Sequence, residues 1–261
     1  MPVKILFIGD IVGKPGRQAV SRELHRLVDR HTIDIVIANG ENAAGGFGLT
    51  VDVAKDLFNQ GIHLLTSGNH IWDKKEQVAV ILSDPHIIRP ANYPAGAPGV
   101  GSTILSTPGG TKVGVLNLEG RIYMKNLECP FRTADRELEK LQRETSIILV
   151  DFHAEATSEK SALGWYLDGR VSVVVGTHTH VQTADERILP QGTAFLTDAG
   201  MTGSFDSVIG MGKEETLQRF LTQLPAKFEV GKKDIRLNAV VIGVDENSGK
   251  AVSIERVNIP C

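Results

Sequence analysis

The first apolar run of the chain reads Val3-Lys4-Ile5-Leu6-Phe7-Ile8-Gly9-Asp10 and ends in a glycine and an aspartate. A short, β-branched run of this kind is typical of a strand that is buried on both faces. Similar runs recur, and most of them also end in Gly, Asn, Asp or His; they cover residues 33–38, 62–66, 113–118, 147–151, 171–176 and 194–197. This repetition predicts a sheet whose strands carry polar residues at their carboxyl ends.

Helical patterns lie between the first of these runs. Apolar residues recur at helical spacing in residues 16–30 and 51–59, and Thr50 is placed to cap the second of these helices. Residues 74–82 and 134–145 are also predicted to be helical, the latter on the surface because charged residues cover most of its faces. Alternating strands and helices indicate βαβ units and an α/β fold.

The last third of the chain has a different pattern. Residues 187–189, 237–244 and 251–257 read as strands with few helices between them, and residues 244–250 resemble a hairpin connection. We therefore expect a mixed sheet, or two stacked sheets, flanked by helices. No linker-like stretch divides residues 1–261, which predicts a single domain.

Composition excludes several classes of protein. The 261 residues are 41% hydrophobic, which is enough to build a core, and the net charge of −3 does not suit a strongly basic nucleic-acid-binding protein. Aromatic residues make up only 5% of the chain, too few for a platform that stacks single-stranded nucleic acid. No apolar run approaches the roughly 18 residues of a membrane span.

Two features predict a cytoplasmic protein. The first residues carry one lysine and a short apolar stretch, unlike a signal peptide. The two cysteines, Cys129 and Cys261, form neither a disulfide framework nor a CxxC metal site.

Five polar segments follow predicted strands. They are Asp10, Asn39-Gly40-Glu41-Asn42, Ser67-Gly68-Asn69-His70, Asp151-Phe152-His153 and Thr177-His178-Thr179-His180. Ligands of open α/β sheets bind outside the carboxyl ends of the strands, so we expect these segments to converge at one edge. The glycine at position 176, before the last segment, predicts a tight, exposed turn.

The converging side chains have the chemistry of a metal site. Carboxylates, amide oxygens and imidazoles are enough for two divalent ions that share a bridging carboxylate, and this donor set suits Mn, Fe or Zn better than Mg or Ca. Two divalent ions held by two carboxylates and otherwise neutral ligands leave a positive site, which complements a phosphate ester. A pair of metals also supplies the nucleophile and the charge stabilisation that phosphodiester hydrolysis requires.

Together these motifs resemble the calcineurin-like metallophosphoesterases, whose motifs are D-x-H, G-D, G-N-H, a lone His and G-H-x-H. The last three are matched by Gly68-Asn69-His70, His153 and His178-Thr179-His180. Two elements depart: Asp10 is followed by Ile11-Val12 with no histidine, and Glu41 stands where the family has its bridging aspartate.

With these departures the chain resembles the bacterial YmdB-like subfamily. The resemblance extends through Asn117-Leu118-Glu119-Gly120-Arg121 and Thr197-Asp198-Ala199-Gly200-Met201. It implies a four-layer α/β/β/α sandwich, with two mixed sheets flanked by helices. It also implies a dinuclear phosphodiesterase that acts on 2′,3′- or 3′,5′-cyclic nucleotides, with two divalent metal ions per chain, Mn or Fe in the first place and Zn also compatible.

The resemblance assigns roles to individual residues. One metal would be held by Asp10, Glu41 and His180, and the other by Glu41, Asn69, His153 and His178, with Glu41 bridging them. Asn42 would take the position left by the missing D-x-H histidine.

The resemblance also implies an acid for the reaction. A metal-bound hydroxide would attack phosphorus, and His70 would protonate the leaving alkoxide, a role that suits an imidazole at neutral pH. Asp73, three residues further on, is placed to orient His70.

Two other functions stay open at this stage. The same site could serve a phosphomonoesterase, because a phosphate monoester also complements a positive site. The chain could instead be a regulatory protein that binds a nucleotide or RNA with little turnover. The expected partner is a small phosphodiester or nucleotide, without a membrane and without a strong nucleic-acid signature, and a homo-oligomer is left open.

Some segments have no assigned role. Residues 90–101 and 118–133 are predicted loops that could cover the site or form an interface. Residues 44–48 are rich in glycine and either form a tight loop or bring backbone amides to the substrate. Arg121 and Ser204 are weak candidates for phosphate contact.

Overall fold

The computed structural model describes residues 2–261 and contains two mixed β-sheets. The first sheet has the strand order β2-β11-β12-β1-β3-β4, with β13 paired to β12. Its strands are β1 (Val3–Ile8), β2 (Asp10–Ile11), β3 (Ile35–Asn39), β4 (Leu64–Thr66), β11 (Met201–Ser204), β12 (Ile235–Val244) and β13 (Ala251–Pro260).

The second sheet has the strand order β5-β6-β7-β8-β10-β9. Its strands are β5 (Ser102–Ser106), β6 (Lys112–Glu119), β7 (Ile148–His153), β8 (Val173–Thr177), β9 (Arg187–Ile188) and β10 (Ala194–Leu196). The helices are α1 (Gly13–His31), α2 (Val51–Asn59), α3 (Val78–Ile81), α4 (Pro130–Leu141), α5 (Thr157–Leu167) and α6 (Lys213–Thr222), with a 3₁₀ helix at Asn69–Trp72.

Successive side chains of β1 pack on opposite faces of the first sheet. Ile5 and Phe7 belong to an apolar cluster shared by both sheets, whereas Leu6 and Ile8 pack with residues of α1, α2 and α3. A third cluster joins the second sheet to Leu138 of α4 and to α5. Each large apolar side chain removed from water in these clusters contributes roughly 1.5–3 kcal/mol. The predicted four-layer α/β/β/α sandwich is therefore confirmed.

The parallel strands carry their polar segments to one edge. The neighbours β1, β3 and β4 are parallel to each other, as are β6, β7, β8 and β10. Their carboxyl ends therefore lie side by side in each sheet, and packing of the two sheets brings both sets of ends together. The hairpin predicted at 244–250 is also confirmed, because β12 and β13 are antiparallel neighbours.

One helical prediction needs correction, and one helix was not predicted. Residues 74–82 are not one helix, since only Val78–Ile81 is α-helical, and the 3₁₀ helix precedes it. The side chain of Gln77 accepts a hydrogen bond from the N–H of Val51 at 2.9 Å, which ties this segment to the start of α2. Helix α5 had no predicted counterpart because its polar residues Glu159 and Lys160 are buried, which removes the usual apolar stripe.

The expected turn at Gly176 is also wrong. Gly176 lies inside β8 and is buried. A Cβ atom at this position would lie 1.8 Å from the carbonyl oxygen of Thr197, so the glycine is required by the close approach of the chain after β10. The tight geometry comes afterwards, at His178 and His180, whose φ angles are 100° and 65°.

Within residues 2–261, no helix combines the length and the apolar character that a membrane crossing needs.

Candidate metal centre

Three side chains from three strand ends, two buried and one half-buried, form a cluster of potential ligands. Glu41 follows β3, His153 ends β7 and His178 follows β8, and one donor atom of each lies within 4.8 Å of the others. The Nε2 atom of His153 lies 3.1 Å from Oε1 of Glu41 and 3.1 Å from Nδ1 of His178. Oδ1 of Asn69 lies 3.0 Å from the same nitrogen. The structure thus brings these four predicted residues together.

A chain of buried hydrogen bonds holds the other ring nitrogen of His153, Nδ1. Its Nδ1–H donates to the hydroxyl of Thr177 at 2.9 Å, and that hydroxyl donates to Oδ1 of Asp151 at 2.7 Å. The second oxygen of Asp151 accepts from Nδ2 of Asn39 at 3.1 Å. An imidazole held through one nitrogen in this way presents the other nitrogen as a ligand.

These four residues fit a divalent metal ion. In the absence of a cation, a single proton on His153 Nε2 faces three acceptors at 3.0–3.1 Å and can be donated well to only one of them. A cation bound in place of this proton would accept a lone pair from each of the four side chains, Glu41, Asn69, His153 and His178. The donor set of one carboxylate, one amide oxygen and two imidazoles is suited to Mn, Fe or Zn.

Burial and neighbouring charges shift the pKa values of the side chains in the cluster. Burial alone would lower the pKa of His153, but the adjacent Glu41 carboxylate, with Asp10 and Asp151, raises that pKa to about 9. Burial alone would raise the pKa of Glu41, but His153 and the backbone N–H of His70 lower it to about 2. Burial and the charge on His153 lower the pKa of His178 to about 3. The protonated His153 therefore holds the positive charge of this site in the metal-free protein.

A second group of predicted ligands lies beside the first. Asp10 accepts from the backbone N–H of His178 at 3.1 Å through Oδ2. Asn42 donates through Nδ2 to Oε1 of Glu41 at 3.0 Å, and the same nitrogen is 3.2 Å from Nε2 of His180. His180 in turn donates its Nδ1–H to the carbonyl of Ile209 at 2.8 Å, which leaves Nε2 as the acceptor.

Unsatisfied oxygens mark this second group. Oδ1 of Asp10 and Oδ1 of Asn42 are buried and have no hydrogen-bond partner among residues 2–261. Burial raises the pKa of Asp10, and the nearby His180 and His153 oppose this shift without cancelling it. Asp10 is part of strand β2 and does not cap α1, whose N-cap position is occupied by Val12. Leaving buried oxygens unpaired is costly, so a second cation would be favoured here.

His70 lies outside the ligand cluster and next to it. Its backbone N–H donates to Oε2 of Glu41 at 3.0 Å, and its Nδ1 lies 2.8 Å from Oδ2 of Asp73. The predicted pairing with Asp73 is thus present in the structure. Its side chain is partly exposed, at 31%, and Nδ1 is the ring nitrogen that Asp73 pairs with.

A buried ion pair braces the segment that carries His178 and His180. Nζ of Lys160 donates to Oδ2 of Asp198 at 2.6 Å, and both side chains are about 1% exposed. The same carboxylate oxygen accepts from the N–H of Thr179 at 3.1 Å and from its hydroxyl at 2.7 Å. Both histidines flanking Thr179 have left-handed backbone conformations, which are strained for residues other than glycine. The brace therefore stabilises a conformation that the local sequence disfavours.

Sequence reasoning missed three of these supporting residues. Asp151, Lys160 and Asp198 had no assigned role, although Asp198 lies in the Thr197–Met201 segment that contributes to the family resemblance. Lys160 gave no signal, because it lies 38 positions from its partner and on a helix without an apolar stripe.

A cavity of about 640 Å³ opens from the cluster. Its polar end includes Glu41, Asn42, His70, His178 and His180, and the remaining wall is largely apolar and comes from Phe47, from α6 with the loop before it, and from Phe228. In the part of the chain that the structure describes, neither residues 90–101 nor residues 118–133 line this cavity, and the predicted 118–133 loop is shorter than expected because 118–119 end β6 and 130–133 begin α4. Arg121 and Ser204 do not line it either, and the hydroxyl of Ser204 donates to the carbonyl of Lys233 at 2.6 Å.

Sequence comparisons identify relatives along almost the whole chain. A family model described as "YmdB-like protein" matches residues 6–257. A 2′,3′-cyclic-nucleotide 2′-phosphodiesterase of Bacillus subtilis (strain 168) is 49% identical over 257 residues, which cover 98% of this chain and 97% of that protein. A putative phosphatase/phosphodiesterase of Mycoplasma pneumoniae is 37% identical over 267 residues, which cover 98% of this chain and 93% of that protein.

Two solved structures superpose on nearly the whole chain. A hypothetical protein from Thermus thermophilus superposes with a TM-score of 0.93 and 44% identity, covering 99% of each chain. A structure described as a novel phosphatase from Mycoplasma pneumoniae superposes with a TM-score of 0.94 and 36% identity, covering 100% of this chain and 94% of that one.

The brace can be tested by replacing Asp198 with Asn, which keeps the shape and removes the charge opposite Lys160. Breaking a buried ion pair from one side costs about 3–5 kcal/mol, so the free energy of unfolding should fall by about that amount. Chemical denaturation measures it. The matched control is Asp206→Asn, which removes an exposed ion pair with Lys213 and should leave stability unchanged. Equal stability of both variants and the wild type would contradict the brace.

The charge on His153 makes metal binding dependent on pH. The ring must lose its proton to bind a metal, and its raised pKa means that it is protonated at pH 7 in the metal-free protein. Metal binding should therefore release a proton at pH 7, and affinity should rise by up to about tenfold per pH unit until pH reaches about 9. Titration calorimetry in buffers of different ionisation enthalpy measures the released proton. A heat of binding that is the same in all buffers would refute this account.

Proposed function

We propose that this chain, which belongs to the YmdB-like protein family, is a dinuclear metal-dependent phosphodiesterase that hydrolyses 2′,3′-cyclic nucleotides. The class of phosphoric ester hydrolases follows from its relatives, whose printed names are phosphodiesterase and phosphatase/phosphodiesterase. The cyclic-nucleotide substrate is carried over from the Bacillus subtilis relative, which is 49% identical over nearly the whole chain.

The position of the Glu41 carboxylate is the observation that supports two metal ions. The fully buried Glu41 carboxylate lies between the cluster of His153, Asn69 and His178 and the group with two unsatisfied oxygens. A buried acid with lone-pair donors on both sides is the arrangement that a pair of divalent ions would satisfy.

The proposed ligands divide into two sets that share Glu41. Asp10, Asn42 and His180 would complete one set, and Asn69, His153 and His178 the other. When bound, the two metals would supply an activated water and stabilise charge on the phosphoryl oxygens. Mn and Fe are the proposed ions because the donors are nitrogen and oxygen with no thiolate, and Zn would also be accepted.

His70 supplies the proton for the leaving group in this proposal. Asp73 holds its Nδ1 at 2.8 Å and His70 lines the cavity, so Nε2 is the ring nitrogen that would protonate the leaving group. A ribose oxygen is a poor leaving group and needs a proton as the bond to phosphorus breaks. A positioned general acid contributes about 10²–10⁴-fold to such a step.

Two broader proposals concern the whole protein. The apolar cluster shared by the two sheets supports a single domain over residues 1–261. Both cysteines are free thiols in the structure, which agrees with a cytoplasmic setting, where disulfides are rare.

The Glu41→Gln variant tests the metal chemistry. Metal-stripped protein should hydrolyse bis-p-nitrophenyl phosphate only after Mn²⁺ is added, and the variant should lose at least about 100-fold in kcat/KM, since even outer-shell changes at metal sites cost 10–100-fold. Glu246→Gln, at an exposed acid, is the matched control and should keep full activity. Parallel assays with p-nitrophenyl phosphate decide between diester and monoester preference. Metal-independent turnover, or full activity of Glu41→Gln, would overturn the proposal.

The role of His70 can be separated from metal binding by the choice of leaving group. His70→Ala should slow hydrolysis of a 2′,3′-cyclic nucleotide by about 100-fold or more, because the ribose oxygen needs a proton. Hydrolysis of bis-p-nitrophenyl phosphate should fall much less, because p-nitrophenolate leaves without one. Asp73→Asn should reduce only the first activity and change its pH–rate profile. Equal losses on both substrates, or an unchanged profile in Asp73→Asn, would argue against the acid role.

A further inference from the structure

The cavity has two chemically different ends. Its polar end is the ligand cluster, and most of the remaining lining is apolar and includes Phe47, Val208, Met211, Phe220 and Phe228, beside the polar side chains of Thr216, Arg219 and Gln223. At about 640 Å³ the cavity is in the usual size range for a small-molecule site. A phosphate at the cluster would occupy only the polar end, so the apolar end requires a ligand with an apolar, preferably flat part.

Phe47 is an aromatic residue in contact with the proposed acid, His70. Its ring meets the ring of His70 edge-on, with centroids 5.1 Å apart, and it also packs against the small apolar cluster that contains Met211 and Phe228. It therefore links the general acid to the apolar end of the cavity.

The glycines around Phe47 fix its position. Gly46 has a φ of 95°, and a Cβ atom there would lie 2.8 Å from Cγ2 of Val230. Two amides of this loop are used internally, since Ala44 donates to the carbonyl of Gly48 and Gly46 donates to that of Asn42. Residues 44–48 were predicted either to form a tight loop or to bring backbone amides to the substrate. These contacts favour the tight loop, which presents Phe47.

We infer that the apolar end of this cavity receives the nucleobase, and that Phe47 determines which phosphate ester bond of a 2′,3′-cyclic nucleotide is broken. The inference rests on the proposed function. The base is attached to C1′, whose neighbour C2′ carries one ester oxygen, whereas O3′ is one carbon further away. A base packed on Phe47 therefore places O2′, rather than O3′, beside His70.

The reaction then has a defined course. The oxygen of water forms a bond to phosphorus while the bond between phosphorus and O2′ breaks, and the electron pair of that bond stays on O2′. The proton of His70 goes to O2′, and the proton lost by water restores His70. The product is the nucleoside 3′-phosphate.

The experiment measures the ratio of 3′- to 2′-phosphate products with Mn²⁺-loaded enzyme. The substrates are a 2′,3′-cyclic nucleotide and its abasic analogue, methyl riboside 2′,3′-cyclic phosphate. Wild type should give mainly the 3′-phosphate from the nucleotide and lose this preference on the abasic analogue. Phe47→Ala should lower the product ratio on the nucleotide by about tenfold or more, the scale of one base–aromatic stack, and should not change the ratio on the analogue.

Two further variants control for folding and for general effects. Phe47→Leu keeps an apolar side chain without a flat ring and should also lower the ratio. Phe205→Leu changes a phenylalanine of the same apolar cluster that does not line the cavity, and should behave as wild type. Turnover with an unchanged product ratio in both Phe47 variants would overturn the role of Phe47 and leave the proposed function standing. Absence of turnover of cyclic nucleotides by the wild type would overturn both.

Discussion

The arrangement of the site depends on the buried negative charge of Glu41. A carboxylate with no exposure to water is strongly disfavoured unless positive charge or hydrogen bonds compensate it. In the metal-free protein that compensation comes from protonated His153 and from the N–H of His70. Because a metal would take over the role of the proton on His153, the same pocket can be stable without metal and ready to bind it.

The rest of the fold brings groups from distant parts of the chain to this charge. His153 and His178 come from the second sheet, whereas Glu41 and Asn69 come from the first, so the site forms only when both sheets pack together. The strain at His178 and His180 is a local cost of this arrangement, and the buried pair of Lys160 and Asp198 offsets it. Strained backbone that is held by surrounding contacts is common at functional sites.

The convergence of the candidate ligands could be predicted from the sequence because parallel strands bring their last residues to one edge of the sheet. Glu41 and His153 each follow a buried run, so their convergence required only the strand pattern. Contacts that depend on three-dimensional packing gave no such signal. The need for glycine at position 176 comes from the Thr197 carbonyl, and the burial of Lys160 comes from Asp198 on another segment. The cavity wall was missed because the apolar side chains of α6, such as Phe220, remain exposed.

Glu41 is proposed to be shared by two metal ions, and anomalous diffraction from crystals grown with Mn²⁺ would locate both of them. Two anomalous peaks are expected, about 3.5–4 Å apart as in other two-metal sites, one on each side of the Glu41 carboxylate. One peak would lie among His153, Asn69 and His178. A single peak, or a peak that does not contact Glu41, would contradict the claim.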